Sequence, residues 1–212
     1  MKYQAILFDL DGVLCTTDRF HYEAWKQTAQ EVRAPFDEQI NQRLRGVSRM
    51  ESLEIILEGS PLTLSGEEKL RLAEEKNDRY RALLSQLTPA DMGEGVRDTL
   101  KRLRAAGLRL AVGSSSKNAG FILRQLQAEE LFDAVCDGTQ ITHSKPDPEV
   151  FLKAAEQVET PPARCLVVED ASAGLEAARA GGMDCAILGD AEMPFAPTYH
   201  LDRLEELPGL IL

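Results

Sequence analysis

Short apolar runs that alternate with longer amphipathic stretches are the feature that most constrains the fold of this chain. The runs have the length and composition of strands that are buried on both faces of a sheet. They lie at residues 5–8, 108–112, 134–136, 165–168 and 185–188. Helical patterns separate the later runs, at residues 95–106, 119–126, 148–158 and 171–180. Gly107 and Gly181 each follow one of these patterns, where we predict a left-handed C-cap that favours glycine. Because strands that alternate with helices are joined by right-handed crossovers, the sequence predicts a doubly wound α/β core with a parallel sheet.

The segment from about Thr16 to Ala90 breaks this alternation, because it contains no strand-like run. Its amphipathic stretches lie at residues 18–32, 48–57 and 65–84. Stretches with this period are typical of helices that pack against one another. We therefore predict an all-α helical cap domain at residues 16–90, inserted into an α/β core domain formed by residues 1–15 and 91–212. A chain of 212 residues, 43% of them hydrophobic, is long enough for such a core and one smaller unit.

The charge balance limits the partners that this chain can have. With 24 basic and 35 acidic residues, its formal net charge is -11. Such a surface repels nucleic acid and anionic membranes, so an anionic substrate needs a local basic cluster. No apolar run reaches the roughly 18 residues of a membrane span, and the N-terminus lacks the basic stretch of a signal peptide. We expect a cytoplasmic monomer that binds neither nucleic acid nor membranes.

Polar and charged residues follow the predicted strands at their carboxyl ends. The segments are Asp9-Leu10-Asp11-Gly12, residues 113–118, residues 144–148 after a short loop, and Glu169-Asp170. Ligands of open α/β sheets bind beyond the carboxyl ends of the strands. We therefore expect acidic residues, hydroxyl groups and a lysine to surround one crevice.

The carboxylates of these segments predict a metal site. Several carboxylates at one edge of a sheet repel one another, and a hard divalent cation relieves that repulsion. Mg²⁺ prefers one or two carboxylates, waters and a phosphate oxygen, which suits Asp9 and Asp170 as ligands with Glu169 beside them. The predicted magnesium site comprises Asp9, Asp11, Glu169 and Asp170.

The same residues predict phosphoryl transfer. Asp9 can attack phosphorus to form an aspartyl phosphate, while Asp11 exchanges a proton with the leaving or entering hydroxyl. Ser114 can donate a hydrogen bond and Lys145 can supply a positive charge to the oxygens of the transferring group. Gly12 allows a sharp turn beside the nucleophile. The predicted catalytic residues are Asp9, Asp11, Ser114 and Lys145.

These motifs, in this order and at these strand ends, resemble the four motifs of the haloacid dehalogenase (HAD) superfamily. The resemblance implies an aspartate nucleophile, a second aspartate as acid/base, and Mg²⁺. Further segments are similar to the β-phosphoglucomutase family within it. They are Gly46-Val47-Ser48-Arg49 with Ser52-Leu53, Lys76-Asn77-Asp78, Pro89-Ala90-Asp91 and Ser114-Ser115-Ser116-Lys117-Asn118. That resemblance implies a phosphorylated hexose as substrate and interconversion of β-D-glucose 1-phosphate with glucose 6-phosphate, through a bisphosphate that also acts as activator.

The resemblance also implies how the cap and the core share the substrate. Arg49 of the cap, with residues 116–118 of the core, would bind the phosphate that is not reacting. His21 and Lys76 match residues that position the acid/base, and Thr17 matches a hinge threonine that engages it in the open form. The predicted substrate-binding residues are Thr17, His21, Trp25, Gly46, Val47, Ser48, Arg49, Lys76, Ser115, Ser116, Lys117 and Asn118. The chain departs from the family pattern at Arg45, at Cys15-Thr16 and in the tail after Gly189.

Other interpretations of these residues stay open. A sugar-phosphate or phosphoglycolate phosphatase would use the same core, with water discharging the aspartyl phosphate. A noncatalytic sugar-phosphate sensor on this fold is a third hypothesis, which the retained acidic motifs disfavour. Arg49, Lys76 and His21 could be solvated surface charges, and Trp25 is more typical of a core than of a sugar platform.

Overall fold

The computed structural model describes residues 1–44, 47–93, 95–190 and 192–212, and its centre is a six-stranded parallel sheet. The strands are β1 (Ala5–Phe8), β2 (Arg109–Gly113), β3 (Ala134–Cys136), β4 (Cys165–Glu169), β5 (Asp184–Leu188) and β6 (Tyr199–Leu201). Their order across the sheet is β3-β2-β1-β4-β5-β6. The order reverses at β1, so its carboxyl end lies at the switch point where ligands bind in doubly wound folds.

The residues of β1 show that the sheet is covered on both faces. Ile6 and Phe8 belong to one hydrophobic cluster, whereas Ala5 and Leu7 belong to a second. Alternate residues of a strand point to opposite faces, so each cluster fills one side of the sheet. This arrangement explains why the strands are uninterrupted apolar runs, and it confirms the predicted α/β fold.

Nine helices are found in the described part of the chain. They are α1 (Asp18–Glu31), α2 (Glu38–Arg43), α3 (Arg49–Leu57), α4 (Gly66–Leu84), α5 (Val96–Ala105), α6 (Ala119–Gln125), α7 (Glu149–Gln157), α8 (Ser172–Ala180) and α9 (Leu207–Ile211). Short 3₁₀ turns lie at Pro89–Asp91, Glu129–Leu131, Pro162–Arg164 and Leu204–Glu206. Helix α3 begins with a capping box, in which the Ser48 hydroxyl accepts from the Glu51 amide and the Glu51 carboxylate accepts from the Ser48 amide. That box fixes the start of α3, so Arg49 is its first residue.

Helices α1 to α4 follow β1 and have a hydrophobic cluster of their own. Its buried residues are Trp25, Ala29, Val32, Leu44, Leu53, Ile56, Leu72 and Ala73. The beginning of α1 and the end of α4 instead join the cluster that contains Ile6 and Phe8 of the sheet, through Phe20, Tyr80 and Leu84. We propose that the boundaries of the helical cap are those predicted, residues 16–90, with residues 1–15 and 91–212 as the core.

Some elements differ from the predictions. Strand β6 and helices α2 and α9 were not predicted, because each is short and lacks a clear apolar period. The left-handed turn after α8 is at Gly182, with φ of 71°, and Gly181 is still right-handed, so the prediction that Gly181 caps this helix in a left-handed conformation is wrong. The corresponding prediction at Gly107 is confirmed by a φ of 88°. Among the described residues, no helix is both long and apolar enough to cross a membrane.

Candidate active site

A cleft of about 390 Å³ lies between the carboxyl ends of the strands and the cap helices. It brings together most of the residues that the sequence predicts for the site. Those that line it are Asp9, Asp11, His21, Trp25, Val47, Ser48, Arg49, Lys76, Ser114, Ser115, Ser116, Lys117, Asn118, Glu169 and Asp170. Thr17 and Lys145 lie just behind this lining and contact Asp11 and Asp9. Gly46 and Arg45 lie outside the described residues.

Lys145 is buried at the base of the cleft between two carboxylates. Its ammonium donates to Asp9 Oδ1 in a short contact and to Glu169 Oε1 at 2.6 Å. The side chains of Lys145 and Glu169 are 0% and 1% exposed. Burial lowers the pKa of Lys145, but the attraction of Asp9 and Glu169 outweighs it, so the pKa is raised and the lysine stays charged.

Glu169 holds this lysine in place. Its second carboxylate oxygen, Oε2, accepts from the amides of Asp170 and Ala171, each at 2.9 Å. Both oxygens therefore have partners within the protein. This makes Glu169 better suited to position Lys145 than to bind a metal directly, although its predicted place in the metal site stays a prediction.

The carboxylates suit a divalent cation. Oxygens of Asp9, Glu169 and Asp170 all lie within 4.8 Å of one another. Burial raises the pKa of Asp9 well above its usual range, and the charges of Glu169 and Asp170 raise it further, although Lys145 opposes them. One lysine cannot balance three carboxylates, so the donor set fits a hard divalent ion. Asp11, the fourth predicted ligand, is not in this group, and its carboxylate has other partners.

Two glycines make room for these carboxylates. Gly12 has a φ of +87°, and a Cβ at this position would lie 2.1 Å from Asp170 Oδ2. At Gly174, in the first turn of α8, a Cβ would lie 2.0 Å from the Glu169 carboxyl group. The turn predicted at Gly12 is confirmed. The role of Gly174 was missed, because a glycine inside a helical pattern gives no sign of what packs against it.

Asp11 is turned toward the cap. Thr17 Oγ1 donates to Asp11 Oδ1 in a short contact, and Tyr80 Oη lies 3.0 Å from the same threonine oxygen. His21 Nε2 lies 3.8 Å from Asp11 Oδ2. Burial raises the pKa of Asp11, but His21 and Thr17 more than offset this, so the pKa is lowered. Asp11 is therefore an anion held by cap residues beside the nucleophile loop.

Lys76 completes this arrangement from the cap side. Its Nζ lies 3.0 Å from His21 Nδ1 and 4.5 Å from the ring centres of Trp25 and Tyr80. Burial lowers the pKa of Lys76 to about 7, and it also lowers the pKa of His21. A neutral His21 ring that accepts from Lys76 at Nδ1 carries its proton on Nε2, which faces Asp11. Trp25 is 2% exposed, so it serves the core of the cap as well as the cleft.

Potential donors to an anion lie further along the cleft, on both the cap and the core. Arg49 is on the cap, and residues 115–118 form the loop after β2. This loop is held internally, because Ser114 Oγ accepts from the Ser116 amide and Ser116 Oγ accepts from the Asn118 amide, each at 3.2 Å. Burial lowers the pKa of Arg49. Asn77 lies between Arg49 and Asn118 and was not among the predicted site residues, although its tripeptide was recognised as family-like.

Comparison with known proteins agrees with this geometry. A family model of haloacid dehalogenase-like hydrolases matches residues 3–182. The chain belongs to the haloacid dehalogenase-like hydrolase family. The resemblance drawn from the four acidic and basic motifs is thereby confirmed.

Relatives of this HAD-like enzyme include mutases and phosphatases. The chain is 40% identical over 191 residues to a β-phosphoglucomutase of Bacillus subtilis (strain 168), covering 89% of this chain and 84% of that protein. It is 33% identical to a phosphorylated carbohydrates phosphatase of Thermotoga maritima, covering 85% and 82%. A crystal structure of a β-phosphoglucomutase from Clostridium difficile has a TM-score of 0.92 and 36% identity, covering 97% of this chain and 93% of that one. These matches show the HAD-like core with a helical cap. The similarity to β-phosphoglucomutases is better supported than the similarity to phosphatases.

Proposed function

We propose that the chain is a β-phosphoglucomutase that interconverts β-D-glucose 1-phosphate and glucose 6-phosphate. The observation that carries this proposal is that one cleft holds a nucleophile group around Asp9 and, apart from it, anion donors on both the cap and the core. A hexose bisphosphate has phosphates at both ends, so it requires both groups of residues at once. A substrate with one phosphate requires only the first.

The nucleophile group would carry out each phosphoryl transfer. A carboxylate oxygen of Asp9 attacks phosphorus, and the bond between phosphorus and the sugar oxygen breaks. Lys145 opposes protonation of Asp9. Ser114, which is 3% exposed and directly follows β2, would donate a hydrogen bond to the transferring group. A divalent cation bound by Asp9 and Asp170, for which we propose Mg²⁺, would offset negative charge on the transferring group.

Asp11 would manage the proton in both directions. When the sugar oxygen leaves, protonated Asp11 donates to it; when a sugar hydroxyl attacks the aspartyl phosphate, ionised Asp11 takes the proton. In the structure Asp11 is held by Thr17 and faces His21. These cap contacts link the acid/base to the position of the cap, so proton transfer depends on how the cap sits over the sugar.

The mutase cycle needs two such transfers. Phosphorylated Asp9 gives its phosphate to the 6-hydroxyl of β-glucose 1-phosphate, forming the 1,6-bisphosphate. The bisphosphate then turns around and returns its 1-phosphate to Asp9, releasing glucose 6-phosphate. In each transfer the other phosphate would be bound by Arg49, Ser116, Lys117 and Asn118, and a bisphosphate from solution would prime the enzyme.

The phosphatase alternative differs in the acceptor of the aspartyl phosphate. A water molecule that attacks the aspartyl phosphate does not reach Arg49, so its reaction gains no binding free energy from the distal donors. A hexose phosphate does, and the binding free energy of its distal phosphate can be used to close the cap and align Asp11. The distal donors therefore favour transfer to sugar over hydrolysis.

The proposal is tested by the products formed from β-glucose 1-phosphate with Mg²⁺ and a trace of β-glucose 1,6-bisphosphate. We expect glucose 6-phosphate in large excess over free phosphate. Arg49→Ala should weaken bisphosphate binding by about 2–3 kcal/mol, the scale of a charge-assisted hydrogen bond, and should lower the ratio of glucose 6-phosphate to phosphate. Arg71→Ala removes the same charge from the cap at an arginine paired with Glu75, and it should leave the ratio unchanged. If the wild-type protein releases mainly phosphate, the phosphatase alternative replaces this proposal.

A further inference from the structure

The side chain of Asn77 joins the cap to the core inside the cleft. Its Oδ1 atom accepts from Arg49 Nη2 at 2.8 Å and from Asn118 Nδ2 at 2.9 Å. Arg49 and Asn77 are on cap helices α3 and α4, whereas Asn118 precedes α6 of the core. Two donors from opposite sides of the cleft therefore converge on a single oxygen atom.

The converging donors are among those assigned above to the distal phosphate. A phosphate oxygen accepts hydrogen bonds from a guanidinium and an amide as the Asn77 oxygen does, but it carries negative charge and binds them more strongly. Asn118 is 7% exposed, and Arg49 is partly buried. Without an acceptor, donors buried to this degree would lose hydrogen bonds that water could not fully replace.

We propose that Asn77 is a positioning residue that occupies the place of a phosphate oxygen in the phosphate-free protein. It keeps Arg49 and Asn118 directed at a common point and then yields them to the distal phosphate of the sugar bisphosphate. This inference rests on the proposed function, since it assumes a distal phosphate. It adds a residue that touches the donors and does not need to touch the phosphate itself.

The proposal predicts an unusual order for two substitutions. Asn77→Ala leaves Arg49 without its acceptor, so bisphosphate affinity should fall about 2- to 10-fold, the range expected for reordering one or two long side chains. Asn77→Asp has nearly the shape of asparagine and keeps the acceptor, but its negative charge competes with the phosphate for Arg49 and repels it. Its affinity should fall at least about 10-fold below that of Asn77→Ala. A residue with a merely structural role would give the opposite order, because aspartate is the closer mimic.

The experiment measures calorimetric binding of β-glucose 1,6-bisphosphate to Asp9→Asn protein, which cannot form the aspartyl phosphate. Asn77→Ala and Asn77→Asp are compared in that background, with Gln27→Ala as the control because it removes an amide from an exposed position on α1. Urea unfolding of each variant checks that the fold is retained. Affinities in the order Asn, Ala, Asp, with the control unchanged, support the proposal.

Equal affinities for the three proteins, or an aspartate variant that binds better than the alanine variant, would overturn it. Failure of the bisphosphate to bind the parent Asp9→Asn protein would overturn it as well. In otherwise wild-type enzyme, Asn77→Ala should raise the bisphosphate concentration needed for half-maximal activity. Because the binding assay needs no turnover, it judges Asn77 separately from the product assay that judges the mutase proposal.

Discussion

Replacing Lys145 by methionine would test the charge balance beneath the nucleophile. Methionine has a similar volume and fits an apolar space, so the main change is loss of the ammonium group. Asp9 and Glu169 then lose their shared cation, and Glu169 is buried with a side-chain exposure of 1%. The variant isolates electrostatics from packing.

The size of the effect follows from what is left behind. Removing one partner of a buried ion pair typically costs about 3–5 kcal/mol, because the remaining charge stays out of water without compensation. Glu169 keeps two backbone donors, from Asp170 and Ala171, and Asp9 is partly open to the cleft. We therefore expect the lower end of that range, about 3 kcal/mol of unfolding free energy.

Urea unfolding at neutral pH without added metal measures this loss. Lys153→Met is the control, since Lys153 is 39% exposed and pairs with Glu149 on the same helix, where water screens the two charges and little loss of stability is expected. Glu169→Gln removes the charge that Lys145→Met leaves unpaired, and the glutamine oxygen can still accept from the amides of Asp170 and Ala171. The double variant Lys145→Met/Glu169→Gln should therefore be more stable than the sum of the single losses by at least about 1 kcal/mol. A loss below about 1 kcal/mol for Lys145→Met, or additive losses in the double variant, would refute this account of the buried charges.

Two further predictions concern the metal site and the cap. Gly12→Ala should abolish activation by Mg²⁺, because its Cβ would lie 2.1 Å from Asp170 Oδ2. The control Gly107→Ala has a similar positive φ but nothing within 4 Å of its Cβ, so it should lose stability without changing metal dependence. Equal metal dependence of the two variants would contradict this. Because the folded-state pKa of Lys76 is about 7, below its unfolded value of 10.5, the unfolded chain binds the extra proton between these values and stability should rise with pH over that window. Urea unfolding from pH 6 to pH 9 should show that the unfolding free energy rises less steeply with pH for Lys76→Met than for the wild type. The control Lys69→Met, at a lysine paired with Glu54, should follow the wild type. Parallel curves for all three proteins would show that the pKa of Lys76 is not lowered.

The core of the site could be predicted from the sequence because β strands place their carboxyl ends at one edge. Asp9 follows β1 and Glu169 ends β4, and these strands are neighbours in the sheet, with Phe8 opposite Val168. Alternation of strands and helices was therefore enough to bring Asp9, Ser114 and Glu169 together. Lys145 does not follow a strand directly, and it was placed at this edge because only a short loop separates it from the predicted strand at residues 134–136.

Contacts across the cleft could not be predicted in the same way. Asn77 lies in the middle of α4, where one polar residue among many charged ones has no distinctive spacing. Its partners, Arg49 and Asn118, are 28 and 41 residues away in the sequence. No rule of helix or strand periodicity relates such positions, because the contact with Arg49 depends on how α3 packs against α4 and the contact with Asn118 depends on how the cap sits on the core. The hydroxyl of Tyr80 was missed for the same reason.

The cations of the described cleft support the proposal that the distal donors favour mutase over phosphatase chemistry. The charge of Lys145 is matched by Asp9 and Glu169, so it supports the nucleophile and adds little attraction for a free anion. Lys76 has a pKa of about 7, so near neutral pH it carries on average only part of a charge. Arg49 and the exposed Lys117 are therefore the main source of attraction for a phosphate in a protein whose net charge is -11. Because both lie among the proposed distal-phosphate residues and not at Asp9, we expect substrate capture to depend chiefly on the phosphate that is not reacting, which water lacks and a hexose phosphate supplies.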